Sequence, residues 1–187
     1  MDAAPFDAGG EKLARIRRIS RIMKTLCGLA MAAIPCVLAL LWVRFDVWIA
    51  ADPTLLPFGP LPNPMPGASL LAGFAISLLP AGLTIFALEH LRRLFGRYAQ
   101  GVIFAAGNSR HLRSFALSVI GLALLQPLTV ALLSVALSWG NPPGQRMLTL
   151  SIGTPEISML FVGAVFLVIA WIMELGRELA EEQAQIV

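Results

Sequence analysis

Four apolar runs punctuate the chain: Thr25–Val43, roughly Ala68–Leu88, Phe115–Trp139 and Ile157–Met173. None contains Asp, Glu, Lys, Arg or His. A helix needs about 20 apolar residues to cross a roughly 30 Å hydrocarbon core. The first run has 19 residues and the fourth has 17, the latter extending through Glu156 at one end and Leu175 at the other. The pattern predicts an all-α fold, a four-transmembrane-helix bundle with helices at about 25–43, 68–88, 115–139 and 156–175. The four spans together form a single membrane domain, residues 1–187.

The polar stretches set the expected orientation. Of the fourteen Lys and Arg residues, six precede the first run, five lie between the second and third, and one falls in each remaining stretch. Basic loops are retained in the cytoplasm. Both termini, the central loop 89–114 and the tail 176–187 are therefore expected on the cytoplasmic side, with two short extracytoplasmic loops opposite.

Local patterns refine the picture. Residues 11–24 read as an amphipathic helix, with Leu13, Ile16, Ile19 and Met23 on one face and Arg17, Arg18, Arg21 and Lys24 largely opposite. Such a helix rests at the headgroup layer and leads into the first span. The length of the first apolar run and of its charged lead-in favours a retained helix over a cleaved signal peptide. Pro53, Pro57, Pro60, Pro62, Pro64 and Pro66 favour extended backbone in the first outer loop. Trp42, Phe45, Trp48 and Trp139 fall where an aromatic belt would mark the outer interface. In the central loop, Leu88, Leu91, Phe95 and Tyr98 form a stripe continuing the second helix, and Gly101 breaks it. Gly107-Asn108-Ser109 supplies a turn and N-cap for the next helix.

In the second outer loop the alternation across Arg146–Ile152 predicts a short strand, able to form a small β-hairpin with extended chain from the first outer loop. Thr154 is the expected N-cap of the fourth helix, with Pro155 at its first position. Glu178, Glu181 and Glu182 make the tail acidic, and Arg177 is spaced to pair with Glu181. Facing a basic surface, that tail is able to dock on the central loop.

Composition narrows the chemistry. A chain that is 57% apolar and 13% charged departs from soluble domains. Its net charge of +3 sits beside membrane spans, so lipid headgroups explain it and direct nucleic-acid binding is not expected. Cys27 and Cys36 share one helix, about 13 Å apart along its axis, and cannot pair with each other. His90 and His111 flank spans among arginines, with no carboxylate or Cys at ligand spacing, and read as solvated interfacial groups. No phosphate loop, nucleophile elbow or zinc signature is present. The chain is expected to be non-enzymatic, with no catalytic residue, cofactor or metal.

Within the spans, Gln126 is the most polar side chain, suited to satisfying backbone freed by Pro127. Pro35 and Pro80 likewise interrupt the first and second spans. Ser69, Gly73, Ser77 and Ala81 recur every four residues, a row that lets another helix approach closely. An internal seam is the first reading of that row, with a homodimer contact as the other.

Two segments carry a resemblance. Tyr98–Pro127 reads YAQGVIFAAGNSRHLRSFALSVIGLALLQP, and residues 174–187 read ELGRELAEEQAQIV. Gly101, Phe104, Asn108, Leu112 and Arg113, followed by Gly176, Leu179, Glu182 and Val187, resemble the small bacterial four-helix membrane proteins known as domain of unknown function 2975. Gly107 departs from that pattern, in which an acidic residue commonly precedes the Asn. The family has no established reaction. Its members are often encoded beside a small helix-turn-helix regulator, which implies a cytoplasmic protein partner and residence in the bacterial inner membrane. The expected function is a regulatory or protein-interaction module acting through its cytoplasmic loop and tail. The residues expected to carry it are Asn108, Arg110, Leu112, Arg113, Gly176, Leu179, Glu181 and Glu182. A small permeation or transport accessory subunit is the alternative.

Overall fold

A computed structural model describes residues 7–51, 61–62, 65–102 and 106–185. Five helices account for most of them: α1 (Asp7–Val43), α2 (Phe45–Ala51), α3 (Gly67–Ala99), α4 (Ala106–Ser138) and α5 (Thr154–Gln185). The four long helices run 37, 33, 33 and 32 residues. At 1.5 Å per residue each reaches about 50 Å, well beyond a hydrocarbon core of about 30 Å. The charge-free runs supply the membrane-spanning part, and the charged helix ends protrude.

The four long helices pack side by side. α3 packs against α1 and α4, and α4 packs against α3 and α5. Among the described residues no Cα of α1 comes within 8 Å of α4 or α5, and none of α3 within 8 Å of α5. The architecture is an open antiparallel row, α1–α3–α4–α5. The expected all-α set of four long apolar helices is present, and hydropathy, which identifies helices that cross a membrane, does not say which of them touch. α4, near the middle of the row, presents small buried residues toward its neighbours, among them Ala116, Ala123, Ser134 and Ser138. Large apolar side chains cover the outer surfaces, including Leu29, Leu71, Leu124 and Phe161. In lipid an apolar exterior costs nothing, and close packing of small residues holds the helices instead.

Two apolar clusters pin the row at its ends. At the end carrying the loops after α1 and α4, Met65 and Leu137 are buried beneath Trp42, Phe45, Leu61, Leu70 and Leu133. Trp42 stacks on Phe45 with ring centroids 5.0 Å apart, and its indole lies against Gly73. Trp42 therefore packs against α3, whereas Trp48 and Trp139 are exposed. The row of small residues faces this contact: Ser69 and Gly73 are buried, and the Ser77 hydroxyl donates to the Gly73 carbonyl at 2.8 Å. At the opposite end, Leu94, Leu112 and Ala170 are buried among Leu91, Tyr98, Phe115, Phe166 and Met173. On α3 there, Ala87 and Leu94 are buried, and Leu88, Leu91, Phe95 and Tyr98 of the predicted stripe are partly buried.

The expected strand is also corrected. Among the described residues there is no strand, and 146–152 is extended chain without a ladder. Its backbone bonds go to hydroxyls of α4. The Met147 N–H donates to Ser138 Oγ at 3.0 Å, and the Thr149 N–H donates to Ser134 Oγ at 2.9 Å. Two serines one helical turn apart thus stand in for a partner strand. The turn leading into this segment places Gly144 at φ 93°, where glycine is favoured, and closes with the Gln145 N–H on the Pro142 carbonyl. The N-cap of α5 is Gly153, one residue before Thr154: its carbonyl accepts from Ile157, and Glu156 reaches back to its N–H at 2.8 Å.

Pro35, Pro80 and Pro127 all lie inside continuous helices. Gln126 is exposed on α4 and is not buried between helices. Cys27 and Cys36 are both free thiols. Of the six loop prolines, only Pro62 and Pro66 are among the described residues. Pro66 is extended, with φ −61° and ψ 133°, at the start of α3.

Candidate functional site at the basic end

The protruding ends of α1, α3, α4 and α5 gather most of the chain's charge on one side of the row. The turn between α3 and α4 organises them. Gln100 ends α3, Gly101 adopts φ 83°, and the N–H groups of Gly101 and Val102 return to the carbonyls of Tyr98 and Arg97. This is a Schellman motif, which satisfies carbonyls that the helix end would leave open. The positive φ favours glycine at 101, and the Arg17 guanidinium of α1 lies against it.

Asn108 sits in the first turn of α4 and is fully buried. It lies inside the helix and not at the expected N-cap position, since α4 begins earlier, at Ala106. Its Nδ2 donates to the Val102 carbonyl at 2.9 Å, tying the end of α3 to the start of α4. Gly107 beside it makes room for the Arg97 guanidinium, which a Cβ would strike.

Next to this turn, Ser109 donates from Oγ to a carboxylate oxygen of Glu174 in α5. Arg177 reaches Glu174 at 3.1 Å and Glu181 at 2.6 Å. The chain Ser109–Glu174–Arg177–Glu181 links the α4 start to the projecting end of α5. The expected pair of Arg177 with Glu181 is present, while the Glu174 link was not anticipated, because Glu174 reads in sequence as the edge of a span. Among the described residues α5 runs on as helix to Gln185, with Glu178, Leu179, Glu181 and Glu182 exposed.

Across α3 and α4 the two imidazoles meet, His90 Nδ1 to His111 Nδ1 at 3.3 Å. Both rings are half-buried, and the Phe86 ring packs edge-on to His90 with centroids 4.5 Å apart. They are thus partners, and the expectation of two separate solvated groups is corrected. One ring must donate and the other accept. Burial lowers the proton affinity of both, and nearby cations add to it: Arg93 beside His90, and Arg97 with His90, Arg93 and Arg110 around His111. That separation also suits two ligands of one metal ion, but the surrounding guanidiniums oppose a cation. Among the described residues no group of three metal-ligating side chains occurs. The signal for the pair was in the sequence: His90 lies eleven residues before Gly101 and His111 ten after it, so an antiparallel hairpin turning there brings them level.

On the α1 side of α3, Glu89 accepts from Arg92 at 2.7 and 3.0 Å and from Arg93 at 2.7 Å. Those bonds, the Arg92 one foremost, pull its carboxyl down to about 2.

Of the eight residues singled out in sequence, Asn108 and Leu112 are buried and structural, Leu112 joining Leu94 and Ala170. Arg110 and Arg113 are exposed on α4, and Gly176, Leu179, Glu181 and Glu182 are exposed on α5. The first pair thus lies on α4 and the other four on the neighbouring α5. What joins α4 to α5 is Ser109 with Glu174.

Four helices long and apolar enough to cross a membrane, laid side by side in an antiparallel row, are the mark of a multi-pass membrane protein. Within that class the chain belongs to the family described as protein of unknown function DUF2975, which matches residues 39–187. The match starts inside α1, so it takes in more than the C-terminal half that carried the resemblance. No curated protein and no solved structure matches the chain.

Proposed function

We propose that this protein is a non-enzymatic module of the bacterial inner membrane that engages a cytoplasmic protein through its basic end. The carrying observation is the end of α5. Beyond its contact with Ser109 the helix leaves the row, exposing Leu175 and Leu179 one turn apart beside Glu178 and Glu182. An apolar edge flanked by acids on a projecting helix suits a partner groove with an apolar floor and a basic rim. A helix-turn-helix regulator, the partner type that family context implies, is a basic protein of that kind. Arg110 and Arg113 extend the exposed surface on α4. The charge distribution supports placing this end, with both termini, in the cytoplasm.

Recovery of partners from detergent-solubilised membranes tests the reading, comparing the intact chain with one lacking residues 178–187 and with Leu179→Lys. A partner retained by the intact chain and lost from both variants is expected. Equal recovery from all three would remove the tail from the interaction. The permeation reading gains no specific support from an open row in which α1 and α5 stand apart.

A further inference from the structure

The groove between α1 and α3 at the basic end has the chemistry of a phosphate-recognition site with an apolar floor. Its part nearer the charge-free run is a recess of about 510 Å³ lined by Arg21, Lys24, Thr25, Gly28, Leu29 and Arg92. It adjoins a second recess of about 320 Å³ over Gly96, to which Lys24, Arg92, Arg93 and Arg97 also contribute. Five cations therefore face the two recesses, and Glu89 is the carboxylate paired there, with Arg92 and Arg93. Among the described residues no carboxylate pairs with Arg21, Lys24 or Arg97.

The glycines create the space. Arg92 runs its stem past Gly28, with Cδ 4.0 Å from where a Cβ would stand, and Lys24 runs past Gly96 at 3.8 Å. Each long basic side chain thus lies across a glycine of the facing helix, with its charged end still open to solvent. The groove is also graded along its length. Arg21, Lys24 and Thr25 occupy the turns at the charged end, while Gly28 and the exposed Leu29 lie below, inside the charge-free run. From Arg21 to Leu29 the drop is about 12 Å. That is cationic above and apolar below, at the depth where an interface meets hydrocarbon.

We infer that this groove binds the phosphate headgroup of an anionic glycerophospholipid, with Arg21, Lys24 and Arg92 around the phosphate and an acyl chain running down past Gly28 and Leu29. Basic recesses between transmembrane helices recognise anionic headgroups in this manner. A soluble phosphate shares the headgroup chemistry but makes no use of the apolar floor.

Native mass spectrometry of the full chain, purified with an equimolar mixture of phosphatidylglycerol and phosphatidylcholine, reads the site directly. The intact protein is expected to retain phosphatidylglycerol preferentially. Arg21→Gln with Lys24→Gln should cut that preference by about fivefold for each charge removed. Gly28→Leu, which fills the groove without altering charge, should abolish it. Arg15→Gln with Arg18→Gln removes the same charge from the same helix nearer its N-terminus, and should leave the preference in place. Equal loss in that control would reduce the effect to general surface charge and overturn the site. Retention unchanged in both groove variants, or no preference in the intact chain, would also overturn it. Displacement of the lipid by excess inorganic phosphate or glycerol phosphate would instead identify a soluble-phosphate site and sink the lipid assignment. Circular dichroism of each variant confirms that the helices remain, and the Gly28 and Arg21/Lys24 variants fail independently.

Discussion

The indole of Trp42 lies directly against Gly73, so the closest approach of α1 to α3 depends on a missing side chain. A methyl group at 73 would overlap the ring. Because Trp42 also stacks on Phe45 and covers Met65 and Leu137, it cannot withdraw without opening that end cluster. Gly73→Ala is expected to destabilise the fold by about 1–3 kcal/mol, the usual range for overpacking. Gly82→Ala, in the same helix with nothing within 4 Å, should be neutral or favourable by up to about 1 kcal/mol. Unfolding in mixed micelles with increasing denaturing detergent distinguishes the two.

Asn108→Ala should loosen the α3–α4 hairpin. The variant removes the bond from Nδ2 to the carbonyl of the partly exposed Val102, at a cost of about 0.5–1.5 kcal/mol. Exchange of the Gly101 and Val102 amides, slow in the intact Schellman turn, should accelerate. Unchanged protection would show that the turn holds without the side-chain bond.

The histidine pair makes the hairpin sensitive to acid. Burial, with nearby cations, lowers the proton affinity of both rings in the folded protein, so around and below the ordinary histidine range the unfolded chain binds more protons than the folded one. Stability therefore rises with pH and is fully present above the ordinary histidine range near 6.5. It falls as pH drops below that range, where a second proton would place two imidazolium rings 3.3 Å apart. His111→Phe should flatten this dependence between about pH 7 and pH 5, measured as detergent-unfolding midpoints. A variant with the same slope as the intact protein would assign the dependence elsewhere.

Ser134 and Ser138 hold an extended segment where a strand was expected. Replacing both with Ala should free the amides of Thr149 and Met147, at about 0.5–1.5 kcal/mol for each bond. Faster exchange confined to 147–149, with α4 still protected, is the expected result. Proteolytic nicking within the segment gives an independent reading.

Much of the membrane architecture was legible from residue type alone. Burying Asp, Lys or His in lipid is costly enough that charge-free runs mark the spans, and four helices appear where those runs lie. The turn at Gly101 was equally readable, because an interrupted stripe followed by glycine leaves few alternatives. The alternation at 146–152 misled, since period-two patterning reports extended backbone and not what that backbone bonds to. Asn108 misled for a related reason: its type suits a helix start, but whether it caps its own helix or the preceding turn depends on where α4 begins.

The sequence by itself determined that the chain crosses a membrane, where its helices lie and which ends share one side, because hydropathy and charge act on each residue against its solvent. It also determined the family. Only the tertiary structure decided that the helices form an open row, that Trp42 closes on Gly73, that His90 meets His111, and that Arg21, Lys24 and Arg92 share one groove. These are relations between helices. In lipid no difference in apolarity drives one helix toward another, so partners are chosen by the fit of small residues against long ones, and that fit exists only once the helices are side by side.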